Sequence, residues 1–273
     1  MLRAELLKIT TLPASKIALA VGVAGLMATH FLTVLLLPAL ASGQIGPGPE
    51  ALGGAIPTPD LQTAAGQLAL LGPLGTNDST GSLGIAVIAI VLMGVLAGTS
   101  DYRFGGIVTT ALAQPKRLRI LAAKAAAAGV AGLVAGAVLA VAASATLLLT
   151  LAFAGTALAI EPAAAVAVLL RSALAVACLT IIALAVGIAA KNQLAAVLLM
   201  LGLLLLEMII QSVAVLIAGS MPLWAQLMPL TLCNAVIGTG PAGISTPVAS
   251  AALLALTGTA LAIAALALHR RDI

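Results

Sequence analysis

Long apolar runs alternate with short polar connections along this chain, and each run is about the length of a helix that crosses a bilayer. At a rise of 1.5 Å per residue, a helix needs about 20 mostly apolar residues to cross the hydrocarbon core. Six segments meet that length: residues 17–37, 82–98, 121–151, 163–189, 194–218 and 247–268. The third and fourth exceed it, which predicts tilt or extension past the bilayer. None shows the period-two alternation of a barrel strand. The pattern therefore predicts one all-α integral membrane domain over residues 1–273, with six transmembrane helices.

The segments between the runs have patterns of their own. Residues 1–16 predict an amphipathic helix lying in the interface, with Leu2, Leu6 and Ile9 on one face, Arg3 and Glu5 away from it, and its lysines reaching headgroups. Residues 41–81 form the longest connection. It is rich in Gly and Pro, allows a short helix near 61–71 and is too small for a core of its own. Residues 219–246 carry Pro222, Trp224, Pro229, Gly238 and Gly243 and no charge. That stretch is too apolar for a solvated loop and too broken for a span. It predicts short re-entrant helices at the external face, anchored by Trp224. The basic start, the first apolar run and Ala39-Leu40-Ala41 together mimic a cleavable signal peptide. The run is longer than a signal core, so an uncleaved first helix is expected.

Composition sharpens this picture. Hydrophobic types make up 62% of the 273 residues and charged types 7%, with a mean hydropathy of +1.25. Soluble domains are about one quarter charged, so a water-soluble globule and a disordered chain are both excluded. The net charge of +4 could suggest nucleic acid, but the basic residues lie at the ends of apolar runs, which is a topology signal. Arg3, Lys8 and Lys16 precede the first span. Arg103, Lys116, Arg117 and Arg119 lie between the second and third, with Lys124 just inside the third. Lys191 follows the fourth, and Arg270 and Arg271 follow the sixth. The other three connections carry only Glu50, Asp60, Asp78 and Glu161. All loop cations thus fall on one side, the expected cytoplasm, with both termini there. Lys116, Arg117, Arg119 and Lys124 are expected to pin the third span at the headgroups. Heavy use of Ala and Gly suggests a GC-rich bacterium, so a bacterial cell membrane is the expected location. Cys178 and Cys233 have no metal-site spacing and define no disulfide framework.

Two charges lie deep in spans, Arg171 and Glu207. Arg171 is about 12 Å below the external surface, and Glu207 rises about 20 Å from the cytoplasmic one. Their levels are similar on successive antiparallel helices. They are expected to form an intramembrane ion pair, within one protomer or across a dimer, whose plainest role is to fix helix register. Glu207, Met208, Gln211 and Ser212 make a polar stripe at helical spacing. His30 is expected to be a packed histidine of the first span. The pairs Gly94/Gly98 and Gly132/Gly136 predict close helix approach without identifying a dimer face.

The connection between the second and third spans has the most distinctive pattern. Asp101, Arg103 and Phe104 precede Gly105-Gly106, which breaks the end of the span. Phe104, Ile107, Val108, Ala111 and Leu112 then give a short helix one apolar stripe, Pro115 ends it, and a basic cluster leads to Lys124. Taken alone, this fits an interfacial loop helix and a docking helix equally. The segment resembles the signature of ABC-2-type transporter permeases, as does the leader Glu5-Leu6-Leu7-Lys8. Gly98-Thr99-Ser100 departs from the Glu-rich start common there. The resemblance extends to the six-span topology of nearly the whole chain.

The resemblance implies a permease subunit exporting a hydrophobic or amphipathic substrate. Residues 99–120 would be its coupling loop, with Asp101, Arg103, Phe104, Ile107, Val108 and Leu112 facing an ATPase. Two ATPase subunits and a second permease subunit, identical or related, are the implied partners, with membrane lipid around them. The resemblance also implies that spans two and five line the path, which makes Glu207, Met208 and Gln211 path candidates. The chain has no Gly-x-x-x-x-Gly-Lys-Ser/Thr loop, so ATP and Mg would belong to the partner and this chain is expected to be neither an enzyme nor a cofactor binder. Two other readings compete. One is a proton-coupled secondary transporter using His30, Arg171 and Glu207, although no inverted repeat is evident. The other is a non-transporting membrane scaffold.

Overall fold

The computed structural model describes residues 1–43, 45, 60–74, 84–103, 117–239 and 243–269. Every regular element among them is helical. In chain order these are α1 (Leu2–Thr11), α2 (Pro13–Phe31), a π-helical turn (Leu32–Leu36), α3 (Leu37–Ala41), α4 (Ala64–Leu70), α5 (Ile85–Arg103), α6 (Arg117–Ala154), α7 (Pro162–Ala190), α8 (Gln193–Ala218), α9 (Leu223–Gln226), α10 (Pro229–Ile237) and α11 (Thr246–His269). Six helical stretches are long and apolar enough to cross a membrane: Pro13–Leu40, Ile85–Tyr102, Leu118–Ala154, Pro162–Ala190, Gln193–Ala218 and Thr246–His269. They overlap the six runs of the sequence with small shifts at the ends. This is a multi-pass helical membrane architecture.

Local chemistry sets the element boundaries. Pro13 opens α2 at a position where its missing N–H costs nothing, after Leu12 turns the chain into extended geometry. Pro38 lacks the N–H that would bond Val34, and the ladder immediately before it widens into the π turn, where Leu37 N–H reaches back to Leu32 O. Asn192 caps α8 with its Oδ1, which accepts from Leu194 N–H at 2.9 Å and Ala195 N–H at 3.2 Å. Gly219 and Gly238 end α8 and α10 in left-handed geometry.

α7 is the hub of the bundle. In the most apolar stretches of both α5 and α7, 67% of residues are buried, against 22% in α8 and α11. Lipid offers apolar side chains the same environment as a neighbouring helix does, so close van der Waals fit has to hold the bundle together. Both glycine pairs serve that fit inside the chain. A Cβ on Gly132 or Gly136 would come within 2.7 Å of the α7 backbone at Ala177 or Ala173. A Cβ on Gly94 or Gly98 would come closer still to the α7 backbone, at Thr180 O or Leu184 O. Neither pair is therefore available as a dimer face.

Two regions outside the spans contain short helices among their described residues. Within 61–71 the structure forms α4, capped by Thr63, whose Oγ1 accepts from Gly66 N–H. Within 219–246 it forms α9 and α10, with Trp224 57% exposed. His30 is buried.

Candidate functional site

The densest charge constellation lies where α1, the end of α5 and the start of α6 meet. Glu5 and Lys8 are three apart on α1 and share one face. Asp101 is in the last turn of α5, and Lys124 is two turns into α6. Lys8 Nζ donates to Glu5 Oε1 at 3.0 Å and to Asp101 Oδ1 at 2.9 Å. Lys124 Nζ donates to Glu5 Oε2 at 3.1 Å and lies 2.6 Å from Asp101 Oδ2. Each lysine bridges both carboxylates, which closes a ring of two cations and two anions with no net charge. Glu5, Asp101 and Lys124 are buried, and the Lys8 side chain keeps 39% of its surface exposed. Burial works against the Lys8 ammonium, but the carboxylates of Asp101 and Glu5 outweigh it and raise Lys8 above its ordinary value.

The ring corrects several expectations. Lys124 is not a headgroup anchor. It is 4% exposed, because Asp101 and Glu5 offer it two anionic partners inside the protein. Glu5 does not lie on the solvated face of α1 but is that helix's buried residue. Lys8 reaches Glu5 and Asp101 within the chain. Asp101 is buried in the ring and presents no surface to a soluble partner. Arg119 is exposed. The side chains of Arg103 and Arg117, and residues Phe104, Ile107, Val108, Leu112 and Lys116, lie outside the described residues. The sequence did carry a signal for the ring. Lys124 stands just inside the third span and Asp101 just past the second, where an unpaired charge is costly, with opposite charges at Glu5 and Lys8 in the leader.

Glu207 is solvated differently. Its Oε1 accepts from Leu230 N–H at 2.9 Å, Thr231 N–H at 2.9 Å, Thr231 Oγ1 at 3.1 Å and Gln211 Nε2 at 3.1 Å. Its Oε2 also accepts from Leu230 N–H, at 3.1 Å. Gln211 Nε2 donates in turn to Thr231 Oγ1. Leu230 and Thr231 follow Pro229 in the first turn of α10, where helix amides have no partner within their own helix. Met228, the residue at the cap position, provides no side-chain bond. Glu207 thus caps α10 from a different helix, at the positive end of its dipole.

The expected ion pair between Arg171 and Glu207 is not formed within the chain. The Glu207 carboxylate already has polar hydrogens directed at it by α10 and Gln211, and Arg171 is exposed on α7. Of the path candidates, Glu207 and Gln211 come together in the α10 network, while Met208 is half-buried next to them. Among the described residues no group of three His, Cys, Asp or Glu side chains could hold a metal ion. Cys178 and Cys233 are free and buried. No protein-family model matches the chain, and no curated protein is significantly similar to it.

Proposed function

We propose that this chain is the membrane subunit of an ATP-binding-cassette exporter in a bacterial cell membrane, driven by two copies of a separate ATPase. One observation carries the reading. The ring joins α1 to both flanks of residues 104–116, the segment whose sequence resembles a coupling loop, through Asp101 on one side and Lys124 on the other. A motor that grips this segment from the cytoplasm can transmit force only if the segment's two ends and the interfacial helix move together. A buried, fully paired ring supplies that stiffness.

In this reading, ATP binding closes the ATPase dimer, and α5 and α6 carry the motion into the bundle. The spans then alternate access for a hydrophobic or amphipathic substrate. The sparsely buried faces of α8 and α11 meet lipid and a second membrane subunit. Glu207 and Gln211 tie α8 to the re-entrant helix α10, so movement of α8 would also move the external cap of the path. No specific observation favours a proton-coupled carrier.

The test is Phe104→Asp in the full chain, co-expressed with the ATPase encoded nearest to it. Loss of subunit association and of ATPase stimulation is expected. If both survive, the docking role of the segment is wrong. Recovery of no ATPase from native membranes would remove the reading altogether.

A further inference from the structure

We infer that a cleft between the last turn of α5 and the start of α8 binds the phosphate headgroup of an anionic phospholipid in the leaflet on the basic side. The inference does not depend on the transport reading. The cleft is an open one of about 500 Å³, lined among the described residues by Thr99 and Tyr102 from α5 and by Lys191, Asn192, Gln193, Leu194 and Val197 around the start of α8. Among the described residues its polar lining is a cation, two amides and two hydroxyls, of which the Thr99 hydroxyl donates to Val95 O, and no carboxylate. The nearest acid on α5, Asp101, belongs to the ring and is fully engaged by Lys8 and Lys124. Among the described lining residues the one charge is therefore positive, the complement of a phosphate.

Lys191 is held where that charge is useful. It ends α7 with φ +58°, the only positive φ of a non-glycine among the described residues. Glycine or asparagine takes this conformation with less strain, so a lysine here is a departure that a bound anion would account for. Its ammonium makes no ion pair among the described residues. The first amides of α8, at Leu194 and Ala195, are already occupied by Asn192 Oδ1, so side chains have to hold the ligand.

The surroundings select a lipid over a free anion. Leu194, on the cleft wall, is 68% exposed, and Leu198, one turn further along α8, is 62% exposed. An apolar track thus begins within one turn of the cation. A phosphate carrying hydrocarbon chains uses both features, whereas inorganic phosphate uses only the first. Basic sites between transmembrane helices on the cytoplasmic side bind lipid headgroups in this way.

The experiment is thermal unfolding of the purified full-length protein in detergent. It is titrated with phosphatidylglycerol, phosphatidylcholine or inorganic phosphate at matched ionic strength. Phosphatidylglycerol should raise the melting temperature saturably, and the other two should not. Lys191→Asn keeps a residue suited to the left-handed turn and should weaken the phosphatidylglycerol response about fivefold, the effect of one cation at a membrane surface. Lys191→Arg should retain the response. Val197→Trp, which fills the cleft without changing charge, should abolish it. Arg119→Gln removes one exposed cation from the same end and should leave it intact. An undiminished response in both Lys191→Asn and Val197→Trp would overturn the site. An equal loss in Arg119→Gln would reduce it to general surface attraction. An equal response to phosphatidylcholine would remove the requirement for an anion, and an equal response to inorganic phosphate would remove the lipid.

Discussion

Asp101 and Glu207 are both 4% exposed carboxylates within transmembrane helices, and the chain solvates them in opposite ways. Asp101 has full charges around it: two lysines, which it shares with Glu5. Glu207 has only dipoles: two backbone amides, a hydroxyl and a side-chain amide. The first arrangement is neutral and joins three segments distant in sequence. The second gathers neutral donors alone, at the start of α10. A closed ion ring is costly to break from either side, because losing one member strands the others. A carboxylate held by dipoles can be neutralised without stranding a countercharge. The first suits a rigid joint and the second a contact that can be remade.

Breaking the ring should have the largest effect. Lys124→Ala leaves the Glu5 and Asp101 carboxylates buried with only the half-exposed Lys8, and should destabilise the protein by about 3–5 kcal/mol. Unfolding in detergent reads this, and a cost under about 1 kcal/mol would mean that the ring is not a unit. Glu207→Gln should cost less, about 1–3 kcal/mol, since the shape is kept and weaker acceptor bonds replace charge-assisted ones. Its signature should be local: faster hydrogen exchange at Leu230 and Thr231, with α1 unaffected. Uniform exchange across the bundle would contradict a local cap.

Lys8→Met should be milder still, about 1 kcal/mol or less, because solvent already screens the half-exposed Lys8. Its pH dependence follows from the raised Lys8 value. The wild-type advantage over Lys8→Met should be complete below the ordinary lysine value of 10.5 and should fade as pH climbs through the raised one. An advantage that faded near neutral pH would point to another group. Arg171→Leu removes an exposed cation from inside a span and should not destabilise the protein at all, since leucine is the cheaper residue there. A cost matching that of Glu207→Gln would show that the two are coupled after all, across subunits.

Legibility followed the range of the interaction. The six spans were evident because each satisfies its own backbone hydrogen bonds, so length and apolarity suffice to define it. The broken helices between α8 and α11 were evident for a related reason: Pro222, Pro229 and Gly238 act locally. The partners of individual charges depend on contacts between distant segments. Lys124 at a span end has the same sequence context whether it faces a headgroup or two acids, and only the packing of α1 against α6 separates the two. Arg171 and Glu207 were matched by depth, yet depth gives no azimuth around a helix. Glu207 faces α10, whose unpaired first-turn amides act as its countercharge.

Composition and apolar run length were enough to specify a helical membrane protein, the extent of its spans and the leaflet expected to hold its cations. These follow from one-dimensional rules, since the cost of placing a residue in hydrocarbon depends mainly on its own type and depth. Folding alone selected α7 as the hub, committed both glycine pairs to it, drew Glu5, Lys8, Asp101 and Lys124 into a ring and turned Glu207 toward α10. Each of those outcomes depends on how helices rotate and cross, and that is governed by the fit between surfaces brought together from distant parts of the chain.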